Sequence, residues 1–295
     1  RSSRYIQLHR GIYLPIAAWG VLSREEQHLA KVLSTHRSAT EPPVFSHISA
    51  AILHDLPIYG AIDETAHTTG QPKGAARPAP NLKRHRAPRR DAEITEIAGI
   101  HCTTVERTLL DLARLYPAEV SLSAVDGFLR EEFKVKQHVD WERHGDWKAT
   151  MMEHLLRMNG ARGIRLARQV FELADPRVDS VLESVSHLQL HRMGFAVELQ
   201  VAVPSPKGSN YYVDFEFLGL DLFGECDGQN KYLAAELRAG LTAEQVVYRE
   251  KRREEWICST TGNRMIRWGF PDVTSAQVFA RKLQACGVMI PHIPR

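Results

Sequence analysis

Tyr212-Val213-Asp214-Phe215-Glu216-Phe217 and, one short turn later, Leu222-Phe223-Gly224-Glu225-Cys226-Asp227-Gly228-Gln229-Asn230-Lys231 decide how this chain is read. Both segments have the apolar and aromatic content of buried strands. Each carries carboxylates where an ordinary core strand would carry Val or Ile. A buried ionised carboxylate is costly and is normally paired or metal-bound. Two adjacent strands presenting acids side by side suit a divalent cation, and a hard cation such as Mg²⁺ or Mn²⁺ takes oxygen ligands. With a lysine close by, such a site fits phosphodiester hydrolysis.

The flanking sequence supplies a frame for these strands. The pattern from 178 to 193 predicts a helix carrying Glu183. Strands are predicted over 196–203, 211–218 and 220–226, with turns at 204–210 and Gly219. A charged helix follows over 243–258, then a strand over 265–268 and a last helix over 274–285. The tight connections make the first three strands an antiparallel meander, and the charged helix crosses to the fourth strand. Side chains alternate along a strand, so Asp214 shares a face with Glu216, and Glu225 with Asp227. Cys226 then faces away from the acids into the core. In a paired meander Asp214 and Glu225 can converge on one metal. Glu183 reaches in from the helix, and Lys231 lies within one turn of Asp227, where it can polarise a water or steady a pentacovalent phosphate.

Glu183, Asp214 and Glu225-Cys226-Asp227-Gly228, in this order, resemble the PD-(D/E)XK restriction-endonuclease-like superfamily, in particular its very-short-patch-repair branch. Tyr248-Arg249 through Arg253 and Arg264 through Trp268 match that branch's arginine-bearing helix and following strand. The resemblance covers about residues 176–290. It implies a restriction-endonuclease-like mixed sheet flanked by helices, with Asp214, Glu225 and the Cys226 carbonyl as metal ligands. It also implies a Mg²⁺- or Mn²⁺-dependent DNA endonuclease in repair or phage defence. Two positions depart from the pattern. Val213 replaces the proline before the first Asp, and Asp227 stands where the catalytic lysine is expected, leaving Lys231 to substitute from a shifted position. The alternative is a nuclease-like fold that binds nucleic acid without cutting it.

The N-terminal part reads differently. Residues 5–14 have the content of a hairpin arm bending at Gly11. Helices are expected from Ser23 through Ser34, over 46–56 up to Pro57, from Thr104 as N-cap through Arg114, and over 122–133, 147–158 and 164–173. Residues 66–90, rich in Gly, Pro, Thr and basic side chains, read as a loop with a short strand near 82–86. Gln7-Leu8-His9-Arg10-Gly11-Ile12-Tyr13, Ser46 through Ala51 and Thr103 through Arg114 resemble AbiEi-type antitoxin and transcription regulators over about residues 5–130. That resemblance implies part of a winged helix, with Arg10 in the wing on phosphate and the recognition helix upstream of Arg1. It also raises a toxin as a protein partner. The expectation is an α/β (α+β) chain with a mainly helical region over 1–170 and a nuclease-like domain over 176–295.

Charge fits this division. Residues 1–90 hold 13 basic against 6 acidic side chains, although the whole chain carries only +3. Lys83, Arg84 and Arg86, with Arg249 and Arg253, are the candidate DNA-backbone contacts, a solvated loop being the alternative for the first three. His47, His54, His187 and His191 are read as packing or surface residues, and Trp256 and Trp268 as core. Four scattered cysteines favour reduced thiols and a cytoplasmic protein. No apolar run is long enough for a bilayer, so a membrane is not an expected partner.

Overall fold

The computed structural model describes residues 4–60, 62, 64–70, 81–87, 90–227 and 242–292. It is a mixed α/β chain that divides into two units. One comprises residues 1–133 and 140–174, the other 134–139 and 175–295.

The first unit opens with the antiparallel hairpin β1 (Tyr5–His9) and β2 (Ile12–Pro15), turning at Gly11, whose φ of 78° suits a residue without Cβ. The short helix α1 (Ile16–Val21) leads to α2 (Arg24–Ser38). Ser23 and Glu26 close a reciprocal capping box on α2, each side chain accepting from the other's backbone N–H. Next come β3 (Val44–Phe45), α3 (His47–Leu53), β4 (Ala66–Thr69), β5 (Leu82–His85), β6 (Ile94–Ile97) and β7 (Ile100–Thr103). These five strands form one mixed sheet in the order β5-β4-β3-β7-β6. The region is mainly helical, as expected, and this sheet adds short strands that the sequence shows only near 82–86. Its strands are only two to four residues long, too short for a period of two to stand out. The helices α4 (Val105–Leu115), α5 (Ala118–Phe133), α6 (Trp141–Arg157) and α7 (Ile164–Leu173) follow, with Thr104 capping α4 through the Arg107 N–H. Val32, Phe45, Ala50, Ala66, Ile100 and Cys102 pack together as one core cluster of this unit.

Beside that cluster lies a group of rings. His47 is stacked on His85 with centroids 3.5 Å apart, and Tyr116 Oη lies 3.0 Å from His67 Nδ1. Burial first, then the neighbouring His85 and His67, lowers the His47 imidazole to about 2.

In the second unit the hairpin β8 (Lys134–Val135) and β9 (His138–Val139) is tied by the Lys134 ammonium to Asp179 at 2.6 Å. The helix α8 (Val181–Arg192) starts at Ser180, whose hydroxyl accepts from the Glu183 N–H. Three antiparallel strands follow: β10 (Val197–Pro204), β11 (Asn210–Phe217) and β12 (Leu222–Cys226). The helix α9 (Ala243–Thr261), ended by Gly262 at φ 77°, crosses to β13 (Arg264–Trp268), which runs parallel to β12. The helix α10 (Ala276–Ala285) completes the unit. Helix, meander, crossover helix and fourth strand appear in the order read from the sequence.

The two faces of this sheet have separate cores. Phe215, Phe217 and Phe279 surround Trp268, whose indole N–H donates to Ser186 on α8 at 2.8 Å. Gly224 is required here, since a Cβ would sit 2.1 Å from the indole edge. On the other side Val203, Val213, Phe223 and Ile257 of α9 pack together. Val213 and Phe215 are two residues apart, yet they serve opposite cores. The alternation therefore breaks at Asp214. Across the register of β10 and β11 stands Gln200, with a left-handed φ of 51°. For a residue with a Cβ that conformation costs about 1–2 kcal/mol, so surrounding contacts must hold it. The expected core position of Trp256 is corrected. It is 39% exposed, and its N–H donates to the Pro204 carbonyl at 2.8 Å.

Candidate metal and nucleic-acid site

The break in β10 and β11 places polar side chains at the middle of the sheet. Glu183 lies in the first turn of α8. Its Oε1 accepts from the Ser180 hydroxyl at 2.7 Å and its Oε2 from the Asp179 N–H at 3.0 Å. The same Oε2 accepts from the Gln200 amide at 3.0 Å, and that amide also lies 3.3 Å from Asp214 Oδ1. Asp214 Oδ2 accepts from the Cys226 N–H at 2.8 Å. One amide therefore spans two carboxylates on different elements. Among the described residues neither acid has an ion-pair partner.

The electrostatics follow from that geometry. Burial, followed by repulsion from Glu183, raises the Asp214 carboxyl to about 8, against the pull of the Cys226 N–H. Burial likewise raises Glu183, although its hydrogen bonds oppose the shift. Two buried acids that resist ionising together accept a proton or a cation. An all-oxygen donor set of this kind fits a hard divalent ion.

Glu225 is arranged otherwise. Its Oε1 lies 2.6 Å from Arg253 on α9, and its Oε2 lies 2.7 Å from Arg267, the residue beside it on β13. Arg253 also donates to the Tyr212 carbonyl at 2.6 Å, and Arg267 to Glu254 at 3.0 Å. Both Glu225 oxygens thus face arginines, which corrects the expectation of a carboxylate turned to Asp214 for a shared metal. Arg253 is corrected with it, because its guanidinium binds protein oxygens and is no free contact for DNA.

Cys226 shows its two sides. Its N–H serves Asp214, while its thiol lies 3.4 Å from the Ser186 hydroxyl, as alternation predicts. Asp227 is exposed and its N–H donates to the Trp268 carbonyl at 2.7 Å. Lys231 lies outside the described residues. Arg249 is exposed on α9, Arg10 is exposed at the β1–β2 turn, and Lys83, Arg84 and Arg86 are exposed on and just after β5. Gln200 and Ser180 escaped the reading by motif, and Arg267, inside the matched strand Arg264–Trp268, had no role assigned. Gln200 had a usable signal, being a polar residue in an apolar strand directly opposite Asp214 once the meander is drawn.

The only group of three His, Cys, Asp or Glu residues among the described residues with ligand atoms all within 4.8 Å of one another is His47, His67 and His85 of the first unit. No helix among the described residues is long and apolar enough to cross a membrane. No protein-family model, curated protein or solved structure matches the chain.

Proposed function

We propose that the C-terminal unit is a divalent-cation-dependent enzyme acting on DNA phosphodiester bonds, in a cytoplasmic protein. One observation carries this reading: Glu183 and Asp214 are buried together, share one amide and, among the described residues, have no ion-pair partner. Those two carboxylates would hold Mg²⁺ or Mn²⁺, which supplies a Lewis acid for the phosphate and a more acidic bound water. Gln200 fixes one oxygen of each acid, and the Cys226 N–H fixes the other oxygen of Asp214. Ser180 and the Asp179 N–H hold Glu183 against the start of α8. Arg253 and Arg267 neutralise Glu225 beside the pair, and Asp227 and Lys231 border the site in sequence. Exposed Arg249, with Arg10, Lys83, Arg84 and Arg86, offers sequence-independent phosphate contacts.

A second reading, a DNA-binding regulator or antitoxin that does not cut, is favoured by two features. Both oxygens of Glu225 are taken by arginines, and an aspartate, Asp227, stands at the lysine position. Incubation of single-stranded, duplex and mismatched DNA with the protein in Mg²⁺ or Mn²⁺ separates the two. Cleavage by the wild type that is lost in Asp214→Ala supports the enzyme. Salt-sensitive binding without cleavage, unchanged in Asp214→Ala, supports the regulator and overturns the enzyme.

A further inference from the structure

The first unit holds a polar cluster that the nuclease reading does not use. His47 opens α3, His67 lies in β4 and His85 ends β5, so three separate elements deliver three imidazoles to one place. His47 and His67 are 3% and 0% exposed. One ring nitrogen of each histidine lies within 4.8 Å of the other two. His85 Nε2 and His67 Nδ1 are 3.1 Å apart. Nitrogen ligands at about 2.0–2.1 Å on one tetrahedral ion sit roughly 3.3 Å from each other, close to that hydrogen-bonded spacing, and the His47 ring, now stacked on His85, would turn to join them.

Three further features belong to a ligand site more than to a packed core. His47 Nδ1 is engaged by the Ser46 hydroxyl at 2.9 Å, which fixes the ring, while its Nε2 is buried without a hydrogen-bond partner. A buried ring nitrogen left this way has lost its water without a replacement partner, which a core built only for stability would avoid. A hydrogen bond on the other ring nitrogen is what orients a metal-bound imidazole. His47 also holds a left-handed φ of 55°, a strain that persists where neighbouring contacts over-determine the backbone. The Tyr116 hydroxyl, 3.0 Å from His67 Nδ1, adds an oxygen donor at the edge of the group.

We propose that His47, His67 and His85 form a transition-metal site of zinc type, with the Tyr116 hydroxyl beside the fourth coordination position. Three imidazoles and an oxygen favour zinc over magnesium, which takes oxygen ligands. A bound ion would cross-link α3 to β4 and β5. The site is independent of the carboxylates in the second unit.

The test is direct. The full chain is stripped with chelator, incubated with Zn²⁺, gel-filtered and assayed for retained metal. The wild type is expected to retain one equivalent and to melt at a higher temperature with Zn²⁺ than without. His85→Gln is expected to lose both effects, and His191→Ala and Asp214→Asn to keep them. His85 is only half-buried, so His85→Gln is the variant of choice. Should it fail to fold, Co²⁺ added to the stripped wild type decides, through the intense visible absorption of tetrahedral cobalt. Zinc retention equal in wild type and folded His85→Gln, or zinc lost in Asp214→Asn instead, overturns the proposal. So does a wild type that retains no zinc or gives no tetrahedral cobalt spectrum.

Discussion

Replacing Asp214 by Asn changes how stability depends on pH, with a sign fixed by the site. In the metal-free protein burial and Glu183 hold the Asp214 carboxyl at about 8, whereas an unfolded chain releases that proton near its usual value of about 3.9. Between these values the folded state binds one proton more than the unfolded state. Stability therefore falls as pH rises through this window, by at most about 1.4 kcal/mol per pH unit for one such group. Below the unfolded value Asp214 imposes no penalty, and above the folded value the penalty is complete. Asn keeps the shape and cannot ionise, so the variant escapes this loss. From about pH 5 to about pH 8 the wild type should lose roughly 2–4 kcal/mol relative to Asp214→Asn in chelator. Urea unfolding followed by far-ultraviolet circular dichroism, repeated across that range, measures the difference directly. Millimolar Mg²⁺ should reduce it, because a ligand bound only by the folded state stabilises the wild type. A difference that stays constant with pH, or a wild type that gains on the variant as pH rises, would refute this picture of the carboxylate pair.

The remaining predictions concern what holds the site. Gln200→Ala keeps the left-handed strain and removes the amide, and Gln200→Gly removes both the strain and the amide, so in urea melts the glycine variant should be more stable than the alanine variant by about 1 kcal/mol. Arg253→Met should cost about 1–3 kcal/mol, and more than Arg267→Met, because only Arg253 also satisfies the Tyr212 carbonyl; equal losses in denaturant titrations would contradict that ranking. Gly224→Val should destabilise by at least about 2 kcal/mol, since its side chain must displace a buried Trp268; an unchanged melting temperature would show that the indole is not confined as described.

The order of elements from α8 onward was legible because the strands of that four-stranded sheet are five to eight residues long and separated by Gly and Pro turns. Glu183 and Asp214 were legible for the same reason, as acids in strongly apolar settings. The pairing of Glu225 was not. It depends on Arg253 arriving from a helix 28 residues away and on Arg267 arriving on a parallel strand, contacts that only the assembled register specifies. Gln200 hid in plain sequence, since a single glutamine in a strand means little until its cross-strand neighbour is known. Of the sheet of the first unit only the strand near 82–86 was legible, because its two- to four-residue strands carry no period. Its histidines stood far apart in sequence, with no motif spacing to join His47, His67 and His85.

Calorimetric titration of Mg²⁺ into the chelator-treated protein tests whether Glu183 and Asp214 form a protonated pair kept for a cation. The measurement is made at about pH 7, in two buffers of different ionisation enthalpy. Binding at one site should release a substantial fraction of one proton in the wild type, and both binding and release should vanish in Asp214→Asn while persisting in His85→Gln. Binding without proton release, or binding that Asp214→Asn leaves intact, would contradict the claim.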